Sequence, residues 1–137
     1  MKKNCIFLAF LILFSFVGCK SSRIEVPEDY TQTQILQLGQ KAYSDSRYKD
    51  AEYYYSVALA RYGHDTNNYI ETKYELSHLY IVMKEYRKAY NGFKEILSIY
   101  DAAPSGVLNP SYKKLCNIGL SQIPEEKLKE FDEITAE

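Results

Sequence analysis

Tryptophan is absent from this 137-residue chain, histidine occurs twice and cysteine three times. Each scarcity closes off a class of chemistry. Neither His64 nor His78 has a Cys or His partner at ligand spacing, so no metal site is expected. Charge of one sign is also missing: 17 basic residues face 18 acidic ones, for a net charge of −1. Nucleic-acid binding calls for a basic stripe or patch, and none is present. No Ser, His and Asp fall into a nucleophile motif, and no glycine-rich loop could cradle a phosphate. The carboxylate pairs Glu125-Glu126 and Asp132-Glu133 read as a solvated face. An enzyme is therefore not expected, and the length leaves room for one domain.

What is abundant is aromatic. Fourteen Tyr and six Phe fall mostly at helical spacing, which fits either the core of packed helices or a platform for a ligand. Their order carries more information than their number. Tyr48, Ala51, Tyr55, Ala58, Leu59 and Tyr62 recur 38 residues on as Tyr86, Ala89, Phe93, Ile96, Leu97 and Tyr100. Self-similarity at a period of 20–50 residues marks a stacked-repeat architecture. Such units bury their apolar faces only against neighbours, so the expected fold is all-α and solenoidal.

The first 22 residues differ from the rest. Lys2 and Lys3 precede an apolar run from Ile6 to Val17, too short for a permanent span of about 17–25 residues. A charged start, a short apolar run and a small residue at the cut read as a secretory signal. Phe16-Val17-Gly18-Cys19 resembles the lipobox of bacterial lipoproteins, with Phe16 where Leu is usual. That resemblance implies a signal over residues 1–18, cleavage before Cys19 and diacylglycerol and acyl chains, such as palmitate, on Cys19. Cys5 would be discarded and Cys19 capped, leaving Cys116 as the one thiol and no internal disulfide. Cys116, with Leu115 and Ile118 at helical spacing, is expected to be buried and structural. Without residues 1–18 the side chains number 15 basic and 18 acidic, a balance of −3. Attraction to anionic lipid is then weak, and the acyl chains must do the anchoring. No other cofactor is expected.

Residues 19–31 read as a tether. Ile35, Leu38 and Ala42 set a first helix over residues 32–44, and a second follows from Tyr48 to Tyr62 with Gly63 as its stop. A third is expected over Tyr69–Met83 and a fourth over Tyr86–Tyr100. Asn109 and Pro110 serve as cap and first-turn residue of a fifth helix reaching Ser121. Residues 123–137 form a charged cap or tail, with Glu125 and Glu126 at the dipole-favoured end.

These helix pairs resemble the tetratricopeptide repeat family. The residues that carry the likeness are Ile35, Leu38-Gly39, Ala42-Tyr43, Tyr48, Ala51, Tyr55 and Ala58, then Leu76-Ser77, Tyr80, Tyr86, Ala89 and Phe93. Lys73 departs at a bulky position, and Ser77 stands in for the glycine. A partial third unit from residue 109 keeps Tyr112, Leu115, Cys116 and Gly119, but offers Leu128 for Ala and Asp132 for an aromatic. The likeness spans residues 32–122, with units over 32–65 and 70–103. It implies a short right-handed superhelical solenoid of antiparallel helix pairs with a degenerate C-terminal cap. The unit-to-unit steps of 38 and 39 exceed the family's usual 34, and loops absorb such insertions cheaply.

In that family the first helix of each pair lines a concave groove. The positions carried over are Thr33, Leu36, Gln40 and Tyr43, then Glu71, Tyr74, His78 and Ile81. The surface they describe is apolar and aromatic, without the Lys, Arg and Asn that grip a peptide carboxylate. Leu36, Tyr43 and Ile81 either line an open groove or lie under the chain's own tether or cap. The resemblance implies a lipid-anchored interaction module of the bacterial envelope, on the outer membrane facing the periplasm, that holds another envelope protein. A small-ligand carrier using the aromatic groove is the competing expectation.

Overall fold

The computed structural model describes residues 25–135, and among these every regular element is an α-helix. The expected signal, Cys19 and the first part of the tether lie outside the described residues. The helices are α1 (Gln32–Ser44), α2 (Tyr48–Tyr62), α3 (Thr66–Val82), α4 (Tyr86–Ala102), α5 (Ser111–Ser121) and α6 (Glu125–Thr135). No helix among the described residues is long and apolar enough to cross a membrane.

Local chemistry sets the ends. Thr31 opens α1 with a capping box: its hydroxyl accepts from the Gln34 amide, and the Gln34 side chain accepts from the Thr31 amide at 2.8 Å. α3 starts three residues earlier than expected because the Asp65 carboxylate accepts from the Asn68 amide at 3.0 Å. Pro110, not Asn109, holds the cap position of α5, while the Asn109 side chain accepts from the Ser111 amide at 3.0 Å. Gly63 closes α2 as expected, at a right-handed φ of −69°; a Cβ there would collide with the Leu59 carbonyl oxygen, so glycine is favoured by space and not by handedness.

The left-handed residues sit elsewhere. Ser46 (φ 58°) and Lys84 (φ 59°) lie 38 positions apart, each in the turn inside a helix pair. Around Ser46 its own amide donates to the Tyr43 carbonyl (2.9 Å) and the Arg47 amide to the Ala42 carbonyl (2.8 Å). Around Lys84 the same bonds run from Lys84 to Ile81 (3.0 Å) and from Glu85 to Tyr80 (2.9 Å). Both turns are thus Schellman closures, satisfying carbonyls that a helix end leaves open. The sequence echo is matched by a backbone echo.

α1 packs on α2, α3 on α4, and α2 on α3, so adjacent helices form a continuous row. Two apolar clusters result. One gathers Ile35, Leu36, Ala42, Ala51, Tyr54, Tyr55 and Ala58 with Leu76 and Leu79 of α3. The other joins Ile70 of α3 to Ala89, Tyr90, Phe93 and Ile96 of α4, and to Cys116, Ile123 and Phe131. α3 contributes to both. Tyr55 and Phe93, equivalent residues, each press on a glycine. A Cβ on Gly39 would collide with the Tyr55 ring, and one on Gly119 with the Phe93 ring. In the second pair Ser77 takes the place of Gly39, and the glycine has moved across the interface to Gly92, whose Cβ would strike Ser77.

One expectation needs correcting. Residues 25–31 are not a free tether. Val26 is buried in the first cluster, Arg61 donates to the carbonyls of Pro27 (2.6 Å) and Val26 (2.9 Å), and the Tyr62 hydroxyl donates to the Tyr30 carbonyl (2.5 Å). A guanidinium that satisfies two carbonyls straps this segment to α2. The C-terminal segment, expected as a charged cap or tail, exposes Glu125, Glu126, Asp132 and Glu133 and buries Phe131 of α6 edge-on against Tyr90, their rings 5.4 Å apart.

Candidate binding groove

α1 and α3 carry the eight positions assigned to the groove, and the structure divides them. Gln40 and Tyr43 of α1 meet Tyr74 and His78 of α3 around a cleft of about 350 Å³, with Ser44, Tyr55 and Glu75 completing the wall. The other four stand apart from it. Thr33 is exposed near the start of α1. Leu36, expected on the groove surface, is buried in the first apolar cluster, so it holds the fold together and offers nothing to a partner. Ile81 packs half-buried against the second cluster. Glu71 accepts from the Gln32 side chain at 3.3 Å, which ties α1 to α3. That same Gln32 amide also reaches the Asn68 carbonyl and the Thr72 hydroxyl, both at 3.0 Å.

The cleft is floored by a row of rings. Tyr48 neighbours Tyr43 (centroids 5.9 Å), Tyr43 neighbours His78 (6.1 Å), and His78 stacks near Tyr74 (6.1 Å, 21°). Tyr74 continues to Tyr112 of α5 at 5.5 Å and to Phe93 of α4 at 6.1 Å. The edge-on and tilted arrangements are those that ring quadrupoles favour. Tyr74 is therefore partly a packing residue as well as a surface one.

The field in the cleft is negative. Burial holds the Glu75 carboxyl above its ordinary pKa; the hydrogen bond with Gln40 opposes this and the neighbouring Glu71 charge adds to it. Burial also raises the Tyr55, Tyr74 and Tyr112 hydroxyls, and in all three the Glu75 charge pushes the same way. Tyr112 reaches about 12, with Glu71 contributing after burial. Among the described residues no cation lies within ion-pair distance of Glu71 or Glu75. Lys41, Lys73 and Lys113 reach instead for Asp45 (3.6 Å), Glu95 (2.6 Å) and Asp101 (2.9 Å).

Glu75 and Tyr112 were not among the expected groove residues. The signal for Glu75 was present: Glu71, Glu75 and His78 are spaced i, i+4, i+7, which sets them along one helical stripe. Tyr112 could be found only by knowing how α5 meets α3. Elsewhere, Cys116 is fully buried and burial pushes its thiol up to about 12, so it is no nucleophile at neutral pH. Among the described residues no three His, Cys, Asp or Glu side chains gather as a metal site.

Comparison with known proteins adds one relative. The chain is 33% identical over 117 residues to an uncharacterized protein of Treponema pallidum (strain Nichols), a match that covers 84% of this chain. It covers 47% of that protein, so the chain spans about half the length of the relative it matches. No family model matches, and no solved structure matches.

Proposed function

We propose that the chain is a lipid-anchored interaction module of the bacterial envelope, with no catalytic role, in which tetratricopeptide-like helix pairs stack as a short right-handed solenoid. Its groove between α1 and α3 holds a segment of another envelope protein, as an accessory subunit of an assembly, secretion or transport complex. One observation carries the reading: four of the eight positions implied by the repeat resemblance converge on a single aromatic cleft. The matched Schellman turns at Ser46 and Lys84 support the stacking. Cys19, acylated after removal of residues 1–18, supplies the anchor, with the outer membrane facing the periplasm as the site. The strap from Val26 to Tyr30 then leaves about six residues between the lipid and the folded domain, holding the groove near the membrane.

A second reading rests on the size of the cleft, which falls within the range of about 300–1,000 Å³ common for small-ligand sites. A small molecule retained through native purification would favour it.

The test is a pull-down from detergent-solubilised envelopes with the native chain and with Tyr43→Ala and Tyr74→Ala. Both changes should weaken a stoichiometric partner by roughly 1–2 kcal/mol or more while the circular dichroism stays helical. Full retention by both variants, with loss on changing Glu125, Glu126 and Glu130 to Ala, would move the surface to the cap. Mass spectrometry of the membrane-extracted protein should find a chain beginning at an acylated Cys19. Intact Met1 on most of it would remove the anchor from the proposal.

A further inference from the structure

The cleft contains a charge that the molecule itself leaves unanswered. Glu75 sits half-buried in its wall, with Glu71 one turn away on the same stripe of α3. Gln40 gives Glu75 a neutral hydrogen bond, and Lys41, Lys73 and Lys113 are committed to Asp45, Glu95 and Asp101. Around the carboxylate stand the rings of Tyr43, Tyr74 and His78. An aromatic face attracts a cation through its quadrupole, and the attraction strengthens as water is excluded. A carboxylate beside such faces adds a charge-assisted hydrogen bond.

The occupants can be ranked on that chemistry. An acidic segment would meet the Glu75 carboxylate, with the charge of Glu71 one turn away adding to the repulsion. A wholly apolar helix would bury Glu75 deeper with no partner, which is costly for an ionised group. A basic side chain resolves both problems at once. Resting on the groove reading above, we infer that the cleft is a receptor for a Lys or Arg side chain presented by the partner segment. Glu75 is the counter-charge and Tyr43 and Tyr74 are the aromatic walls. The occupant is thus a peptide segment with a basic anchor, and the groove discriminates by charge as well as by shape.

The full chain in detergent micelles tests this with three single-residue probes: the acetyl N-methylamides of arginine, glutamine and glutamate. Each is titrated while the ring resonances of Tyr43, Tyr74 and His78 are followed by NMR. The arginine probe should shift them saturably and bind at least about tenfold more tightly than the glutamine probe. The glutamate probe should bind no better than glutamine. Glu75→Gln, a near-isosteric change, should erase the preference for arginine. Gln40→Arg should do the same by placing a guanidinium of the chain's own beside Glu75. Equal binding of the three probes, no saturable shift with arginine, or an arginine preference that survives Glu75→Gln would each overturn the inference. The groove reading fails differently. If an envelope partner is lost on Tyr74→Ala yet held at full strength by Glu75→Gln, the groove stands and only the basic anchor falls.

Discussion

The first two helix pairs and the third are built from corresponding residues, yet they end in different arrangements. α1 folds back on α2 and α3 on α4, whereas α6 makes no close approach to α5 among the described residues and lies against α4. Three substitutions account for the difference. Ser46-Arg47 and Lys84-Glu85 become Ile123-Pro124. Proline has no amide to make the bond that Arg47 and Glu85 donate, and it drives the residue before it out of the helical regions. A β-branched isoleucine is itself a poor occupant of a left-handed position. The turn after α5 accordingly closes without one, through bonds from Gln122 to Gly119 and Ile123 to Leu120, both 3.1 Å. Then Ala51 and Ala89, both fully buried where helices approach closely, become Leu128. Finally Tyr55 and Phe93 become Asp132, while the neighbouring Phe131 supplies the buried ring. Closure of a helix pair needs both a turn that can reverse the chain and a small residue at the crossing.

The comparison can be broken at several points, beginning with the largest effect. Phe93 is fully buried between α3, α4 and α5, so Phe93→Ala should cost about 3–5 kcal/mol in denaturant unfolding. Asp132→Ala, at the equivalent place in the third unit, should cost less, because that exposed side chain gives up one hydrogen bond, accepted from the Tyr90 hydroxyl, and no buried ring. Equal losses would mean that the third unit is held as tightly as the second.

Gly92→Ala comes next. The added methyl meets Ser77 and should overpack the α3–α4 crossing by about 1–3 kcal/mol. Ser77→Gly in the same chain should recover much of the loss, returning the second pair to the arrangement of the first. A double variant no more stable than Gly92→Ala would show that the two residues do not compensate one another.

Glu85→Pro transplants the third turn into the second pair. It deletes the amide that reaches Tyr80 and strains Lys84 at φ 59°. Relative to Glu85→Ala, which controls for the lost ion pairs with Lys49 and Lys88, it should cost more than about 1 kcal/mol. Identical melting of the two variants would show that the turn does not govern closure.

The smallest effect concerns the ion pairs that join the first unit to the second. Glu52 lies 2.9 Å from Lys49 and 3.7 Å from Lys88, and accepts from the Tyr80 hydroxyl at 3.0 Å. Burial disfavours its charge, but the hydrogen bonds from Lys49 and Tyr80 and the charges of both lysines outweigh burial and hold its pKa below the ordinary 4.5. A carboxyl depressed in the folded state contributes stability above its unfolded pKa and loses it as pH falls through the folded value. The native chain should therefore lose a little more stability than Glu52→Gln as pH drops below about 4.5, by well under about 1 kcal/mol for so open a site. Thermal melts at neutral and acidic pH check this, and parallel pH profiles for the two chains would deny the tie any role.

How much of this was legible beforehand varies by residue. The repeated stripe located α2 and α4, and Ile35, Leu38 and Ala42 located α1, because apolar positions at 3.6-residue spacing leave a pattern that needs no partner to be read. Leu36 was misplaced for the converse reason. Its place in the repeat suits a groove, but Val26 and Tyr30 of the strap segment belong to the same apolar cluster, and that packing is a long-range event. The strap itself depends on Arg61 and Tyr62 reaching back more than 30 residues, which no local window contains. Glu75 carries no expectation from the repeat positions, since its burial comes from α1 across the cleft.

The sequence by itself determined that this chain is helical, where its helices pair and which positions must stay small. Those properties follow from side-chain period, capping chemistry and the size of a residue at a crossing, all local to a segment. Only the tertiary structure decided that Phe131 of α6 would seat against Tyr90, that Ser77 and Gly92 would exchange bulk, and that Glu75 would face tyrosine rings without a cation. Burial and field at a site are sums over every neighbour, and neighbours distant in sequence are chosen by packing.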